Sequence, residues 1–247
     1  MKLYKNIFIL VVLCFLCFGS KDTYSQSRLE IDFHIGYSQP LLEAHGTSLV
    51  LSEDRKYVTI NGKRWINSDN LGAENGYTVQ AFLKYSILKQ GYLKGLFNIG
   101  YNMLYSVYDG PADNYGVRVQ SFSLGTGLEG NPLGNKKFYP SLFGLLRINF
   151  MGGETYYHAG LDFFKVTPRY GYAAGINLNY RVSKRIGLYL GGSYSYDNAW
   201  GKKTNETKTN DPHVIVFVDK AGTENGLNND RRVAYSSFYL GMKFHFR

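Results

Sequence analysis

The sequence predicts an all-β fold, namely a closed, antiparallel, up-and-down transmembrane β-barrel of about eight strands behind a cleaved signal peptide. Three observations predict it: hydropathy alternates with period two along most of the chain, charges fall mid-strand on the polar face of that alternation, and the chain starts like a secreted precursor. Aromatic residues make up 16% of the 247 residues, with 22 tyrosines, 16 phenylalanines, 28 glycines and only 6 prolines. Such a composition suits twisted strands with aromatic rims.

Lys2 and Lys5 precede an unbroken apolar run from Ile7 to Phe18. Twelve helical residues fall short of the roughly 20 that span a bilayer. A short apolar run behind a basic start reads as a signal peptide. The small-x-small site Thr23-Tyr24-Ser25 places the cut before Gln26, so residues 1–25 are the signal and 26–247 the barrel domain. Cys14 and Cys17 lie in the removed part, neither follows a good lipobox, and no disulfide or thiol chemistry is expected afterwards. Removal also takes Lys2, Lys5, Lys21 and Asp22, lowering the formal charge from +9 to +7 over 222 residues. A basic balance can mark nucleic-acid binding. With a secretory start, the reading is instead contact with anionic phosphate or sugar groups at a membrane surface. No later apolar run approaches 18 residues, which excludes a helical membrane protein.

The strands follow in order. From Arg28 to Gln39, Leu29, Ile31, Phe33, Ile35 and Tyr37 alternate with Glu30, Asp32, His34, Gly36 and Ser38. Neighbouring side chains on a strand point to opposite faces, so this segment has one apolar and one polar side. The rhythm recurs over Gly76–Leu88, Leu93–Val107, Leu142–Phe150, Arg169–Val182, Ile186–Tyr196 and Tyr235–Phe246. Over Tyr115–Leu128 it is broken: Val117 and Val119 favour one face, Phe122, Leu124 and Leu128 the other. A bulge, which flips the register, would reconcile them. Short connections are expected at Lys89–Gly91, Asn131–Lys137 and Ser183–Arg185, and long ones at Pro40–Asn75, Tyr108–Asn114, Met151–Pro168 and Asp197–Val233. Short turns on one side and long loops on the other is outer-membrane wiring, with both termini on the periplasmic side. Within the long loops, Asn61-Gly62 marks a hairpin, and Val214–Val218 is a further strand-like run.

Asp32, Lys84, Arg147 and Lys243 sit mid-strand on the polar face. Lipid offers no hydrogen bonds, so the sheet must close and the last strand must pair with the first. Antiparallel closure would bring Lys243 and His245 near Glu30, Asp32 and His34. A salt-bridged interior cluster of Glu30, Asp32, His34, Lys84, Arg147, Lys243 and His245 is therefore expected. The alternative is that these charges reach interior water or the rims. Eight strands leave an interior just wide enough for their own side chains, which makes a plugged cylinder.

From Tyr170–Tyr196 into the closing FYLGMKFHF, the chain resembles the small outer-membrane barrels of the OmpA, OmpX and OmpW type, and more closely the β-barrel domain common in Bacteroidota envelopes. The resemblance covers residues 28–247 and rests on strand rhythm. It implies an integral membrane protein of the Gram-negative cell outer membrane, in contact with lipid and lipopolysaccharide and inserted by barrel-assembly machinery that reads the last strand. Members usually end on an aromatic residue, whereas here Phe246 is penultimate and Arg247 last. No catalytic residue is implied.

Chemical motifs are weak. GTGLEG, Gly125 to Gly130, has the dinucleotide-fingerprint spacing, but the turn NPLG follows it and not a helix, so no cofactor is expected. His34, His45, His158, His213 and His245 lack metal-site spacing. Lipid A deacylases carry an H-x-S pair on a strand. The nearest pattern here, His45-x-Thr47, falls in a loop. The final loop mixes Lys202, Lys203, Lys208, Lys220, Arg231 and Arg232 with Glu206, Asp211, Asp219, Glu224 and Asp230, the mark of a solvated surface or of a site for lipopolysaccharide phosphates or an envelope partner. ETYYHAGLDFF reads as a docking surface or, better, as part of the upper girdle. The expected protein is a non-catalytic barrel whose loops serve interaction or envelope integrity, without nucleic acid. A lipid-modifying enzyme and a narrow porin-like channel for small solutes are the alternatives.

Overall fold

A computed structural model describes residues 28–45, 58–60, 63–65, 73–88, 91–109, 114–134, 136–157, 160–202, 214–216 and 232–246. Its strands are β1 (Leu29–Leu41), β2 (Val58–Ile60), β3 (Lys63–Trp65), β4 (Asn75–Ser86), β5 (Leu93–Asp109), β6 (Asn114–Gly130), β7 (Phe138–Tyr157), β8 (Gly160–Arg181), β9 (Ile186–Trp200), β10 (Val214–Val216) and β11 (Ala234–Phe246). Eight of them, β1, β4 to β9 and β11, form an antiparallel ring in which each strand pairs with the next along the chain. β11 closes the ring on β1 from Leu29↔Phe246 to Leu41↔Ala234. The expected closed, antiparallel, up-and-down barrel of eight strands is the observed one. No α-helix occurs among the described residues. The signal segment, both cysteines and Arg247 lie outside them.

The alternation seen in the sequence becomes an inverted surface. Ile35, Leu146, Phe238 and Leu240 are 60–70% exposed (64%, 64%, 66% and 68%), while Asp32, Asn98, Asn149 and Glu129 are fully buried (each 0%). Isolated exposed apolar residues are ordinary, but a continuous band of them is not. The band is bounded on one side by Tyr85, Tyr92 and Tyr180 and on the other by Tyr37, Tyr77, Tyr170 and Trp200. On β1 it runs from Leu29 to Tyr37. At ~3.3 Å per residue and a tilt of about 40°, that is roughly 20 Å along the barrel axis, near the height of a membrane-embedded band.

Two sequence expectations are corrected. β6 has no bulge: its ladders to β5 and β7 run without a register shift. Val117 and Val119 are buried inward on the same face as Ser121, Ser123 and Glu129, while Phe122 and Leu128 point out. What changes at about Gln120 is the surroundings, not the register. Below it the outside is apolar and the inside polar; above it the inside is apolar. Most of 151–168 is also strand, as are Tyr108, Asp109 and Asn114. The β5–β6 ladder continues to Asp109↔Asn114 and the β7–β8 ladder to Tyr157↔Gly160, after a shift between Met151 and Gly153. Alternation disappears there from the sequence because the wall has left the apolar band and needs no greasy outer face.

β5 to β8 therefore rise beyond the other strands. β10 adds to this wall, pairing parallel to β8 from Val214↔Phe163 to Val216↔Lys165. β2 and β3 form a two-stranded ladder, Val58↔Trp65 to Ile60↔Lys63, on either side of residues 61 and 62. At the opposite rim the short turns contain Gly91 and Gly134, both in the left-handed region (φ 68° and 64°) that a side chain would strain.

Candidate functional site inside the barrel

The interior is stacked in layers. Nearest the short-turn rim lies a charge cluster. Closure puts Glu30 opposite His245 and Asp32 opposite Lys243, and the other neighbour, β4, puts Lys84 opposite Glu30. Lys84 Nζ is 2.6 Å from Asp32 Oδ2 and also donates to Glu129 Oε2. Lys94 Nζ donates to both Glu30 oxygens at 2.7 and 2.9 Å. Lys243 Nζ lies 3.4 Å from Asp32 Oδ2 and 3.9 Å from Glu129 Oε1. His245 Nδ1 is 3.3 Å from Glu30 Oε1 and 3.5 Å from Arg181 Nη2. Three lysines thus meet three carboxylates, all buried. Removing water from such charges costs several kcal/mol per ion unless partners replace it, and here each has a partner. Lys243 Nζ also stands 5.1 Å from the ring centre of Tyr189, within cation–π range.

Above the charges sits an aromatic layer. His34 stacks on Tyr239 with ring centroids 3.9 Å apart and planes 10° from parallel, and its Nδ1 is hydrogen-bonded to Tyr189 Oη at 3.1 Å. Tyr239 Oη donates to Asn177 Oδ1 at 2.9 Å. Phe82 and Phe143 meet edge-on. These rings fit because glycine faces them: Tyr189 pairs with Gly241, Tyr239 with Gly36 and Gly191, and Phe143 with Gly175. A Cβ at Gly241 would run into the Tyr189 ring, and one at Gly175 into the Phe143 ring. The inner-face glycines are therefore notches for rings on the next strand.

Arg147 does not join the first cluster. It lies higher, where Nη2 donates to Asp197 Oδ1 at 2.6 Å, Tyr235 Oη donates to Asp197 Oδ2 at 3.2 Å, and Asn149 Nδ2 donates to the Asp197 carbonyl at 2.6 Å. Parity sets which face a residue takes but not its height, and β7 carries Arg147 past the aromatic layer. His34, likewise, makes no ion pair among the described residues and belongs with the rings. Glu30, Asp32, Lys84, Lys243 and His245 do come together. Lys94, Glu129, Arg181, Asp197 and Tyr235 join these networks beyond the residues expected from the sequence. Lys94 shares the parity of Asn98, and Asp197 that of Ser193 and Ser195, so both were legible on the inner face. Glu129 falls one residue past the expected end of its strand at Leu128.

A final apolar layer seals the long-loop end: Leu104, Val117, Val119, Met151, Phe164 and Tyr235 with Ala44, Ala73 and Val233. Between the charges and the rings a cavity of about 10 Å³ remains, lined by residues including His34, Lys84, Glu129, Tyr189 and Tyr239. That is about the room one water needs. Among the described residues no three His, Cys, Asp or Glu stand as a metal-ligand set. His45 lies outside the interior, its Nδ1 3.2 Å from the Ala73 carbonyl. His158 and His213 lie outside the described residues, as does most of the charged final loop. The Gly125–Gly130 segment is the end of β6. Chemically, the interior holds two buried sets of mutually neutralised groups, the charge cluster capped by the rings and the Arg147–Asp197 network capped by the apolar layer.

No protein-family profile and no curated protein matches the chain. Among solved structures, it is similar to Neisserial surface protein A, at 14% identity and a TM-score of 0.46 over 91% of this chain and all of that one. It is also similar to Ail, the attachment invasion locus protein of Yersinia pestis, at 12% identity and a TM-score of 0.40 over 90% of this chain and all of that one. The outer membrane protease OmpT of Escherichia coli follows at 10% identity and a TM-score of 0.39, over 92% and 99%. The barrel described above rests on its own ladders.

Proposed function

We propose that the chain is an integral outer-membrane barrel of the type common in Bacteroidota envelopes, exported by residues 1–25, with both termini on the periplasmic side and loops that serve interaction or envelope integrity. One observation carries this reading: an apolar band bounded by tyrosines encircles a closed wall whose charges, within the band, are turned inward. In water that arrangement exposes what should be hidden, and in lipid it satisfies every backbone group. Lipid and lipopolysaccharide are then its surroundings, and the apolar closing strand is what assembly machinery would read. Burial of the interior ion pairs, one set beneath the rings and the other beneath the apolar layer, supports a non-catalytic scaffold, since none of them is exposed at either rim. A residual cavity of about 10 Å³ supports a plugged cylinder over a conduit.

Expression in a Gram-negative host followed by fractionation tests the placement. The processed protein is expected in outer-membrane sheets resistant to carbonate, and to migrate faster on gels when unboiled. A monomer that stays in the aqueous fraction without detergent refutes it. A lipid A profile altered by gene deletion, restored by the intact gene and not by His45→Ala, would replace the scaffold with the lipid-modifying alternative.

A further inference from the structure

The short-turn rim is basic and carries no acid. Segments 87–92, 131–137 and 182–185 contain four lysines, one arginine and no Asp or Glu. Among the described residues, Arg28, Lys136, Lys184 and Arg185 are exposed and Lys137 is half-buried. Backbone hydrogen bonds fix where they stand. Ser86 donates to the Arg28 carbonyl, His245 to that of Arg185, and Arg181 to that of Lys137. The cations therefore follow an arc across the ends of β1, β11, β9, β8 and β7. The carboxylates nearest this rim, Glu30 and Glu129, are committed to interior lysines.

The opposite rim differs. There Arg232 Nη2 is held by Glu43 Oε1 at 2.5 Å, and Arg118 is paired with Glu154. Among the described residues, Arg28, Lys136, Lys137, Lys184 and Arg185 have no such carboxylate partner. They stand just beyond the lower edge of the apolar band, where Leu29, Tyr180, Val182, Ile186 and Phe246 are exposed. Lys137 Nζ lies 5.7 Å from the Tyr180 ring centre, at the height expected of a side chain that keeps its stem in oil and its charge in the headgroups.

We propose that this arc binds the phosphodiester headgroups of anionic phospholipids in the leaflet at the short-turn rim, which makes it a selective lipid site and not only a solvated edge. The inference rests on the membrane reading above. Each Lys or Arg near an anionic surface is worth up to about fivefold in affinity, and the effect is screened at high salt.

The test reconstitutes the folded, processed protein into phosphatidylcholine vesicles with and without phosphatidylglycerol, and reads first-shell lipid selectivity with spin-labelled lipids. Entry into pure phosphatidylcholine checks the membrane reading separately; failure to enter any vesicle overturns that reading and the lipid site with it. The expected selectivity for phosphatidylglycerol is about threefold or more at low salt, falling toward one in about 1 M salt. Lys136→Gln, Lys184→Gln and Arg185→Gln combined should abolish it while fast gel migration persists. Should that variant not fold, the salt series on the unaltered protein decides alone. Equal retention of both lipids, or selectivity indifferent to salt, overturns the proposal. So does displacement by inorganic phosphate at matched ionic strength, which would make the arc a site for free anions.

Discussion

Replacing Glu129 with glutamine keeps its shape and removes one charge from the interior cluster. Glu129 Oε1 stands 3.8 Å from Lys94 Nζ and 3.9 Å from Lys243 Nζ, and its other oxygen accepts from Lys84. At an effective dielectric of about 20, each of the two longer pairs carries roughly 4 kcal/mol of gross attraction. Most of that offsets desolvation. Once one partner is gone, however, three lysines face two carboxylates, and an uncompensated buried charge costs about 3–5 kcal/mol. With a urea dependence near 3 kcal/mol per molar for a chain of this size, the unfolding midpoint of Glu129→Gln should drop by about 1–1.7 M. Urea titration in lipid vesicles, followed by tyrosine and tryptophan fluorescence, measures it. Adding Lys84→Met restores neutrality, and the double variant should recover at least half of the loss, which is the coupling a double-mutant cycle isolates. A midpoint for Glu129→Gln within about 0.3 M of the unaltered protein would refute the reasoning. So would a double variant as unstable as the sum of the two single ones.

Two further outcomes follow from the outer surface. Leu240→Arg, mid-band and paired with Ile35 and Leu190, should destabilise the vesicle-embedded barrel by about 2–4 kcal/mol, whereas Gln120→Arg, where β6 leaves the band, should cost at most about 1 kcal/mol; equal costs in the same urea assay would remove the boundary drawn on β6. The Glu43 carboxyl is held below its ordinary value of 4.5, chiefly by the hydrogen bond from Arg232. Its folded value is the lower one, so the stabilisation is complete above the unfolded value and is lost as pH falls through the folded value. A carbon-detected titration should place the Glu43 midpoint below that of an ordinary glutamate, and Arg232→Gln should raise it toward the ordinary value; an unchanged midpoint in that variant would break the assignment.

Legibility varied with what each residue has to satisfy. Inside the apolar band every outward position must be greasy, so β1, β4 and β11 could be read residue by residue. Above the band the same ladder obeys no such rule, and the upper halves of β7 and β8 looked like a loop because Met151–Pro168 loses its rhythm. On β6 the loss looks like a flip of the strand but marks the strand passing out of one environment into another. In the interior, parity assigns Asp32, Lys84, Arg147 and Lys243 to one face without ranking them along the axis. Arg147 is thus assigned to the same face as Lys84, although it stands two layers away with Asp197.

The ring-and-notch pairs bear on how the chain finds one alignment out of several. A slip of one residue between neighbouring strands turns every side chain over, and hydropathy alone forbids it. A slip of two keeps oil outside and water-seeking groups inside, so hydropathy is blind to it. Moving β9 by two along β11 would set Tyr189 against Tyr239 or Lys243 in place of Gly241. The same shift at the seam would set Asp32 against Gly241 or His245 in place of Lys243. Bulk and charge within the lumen thus reject the misalignments that the membrane would tolerate, and the stagger of the cylinder, with its tilt and girth, is written in the side chains that never touch lipid.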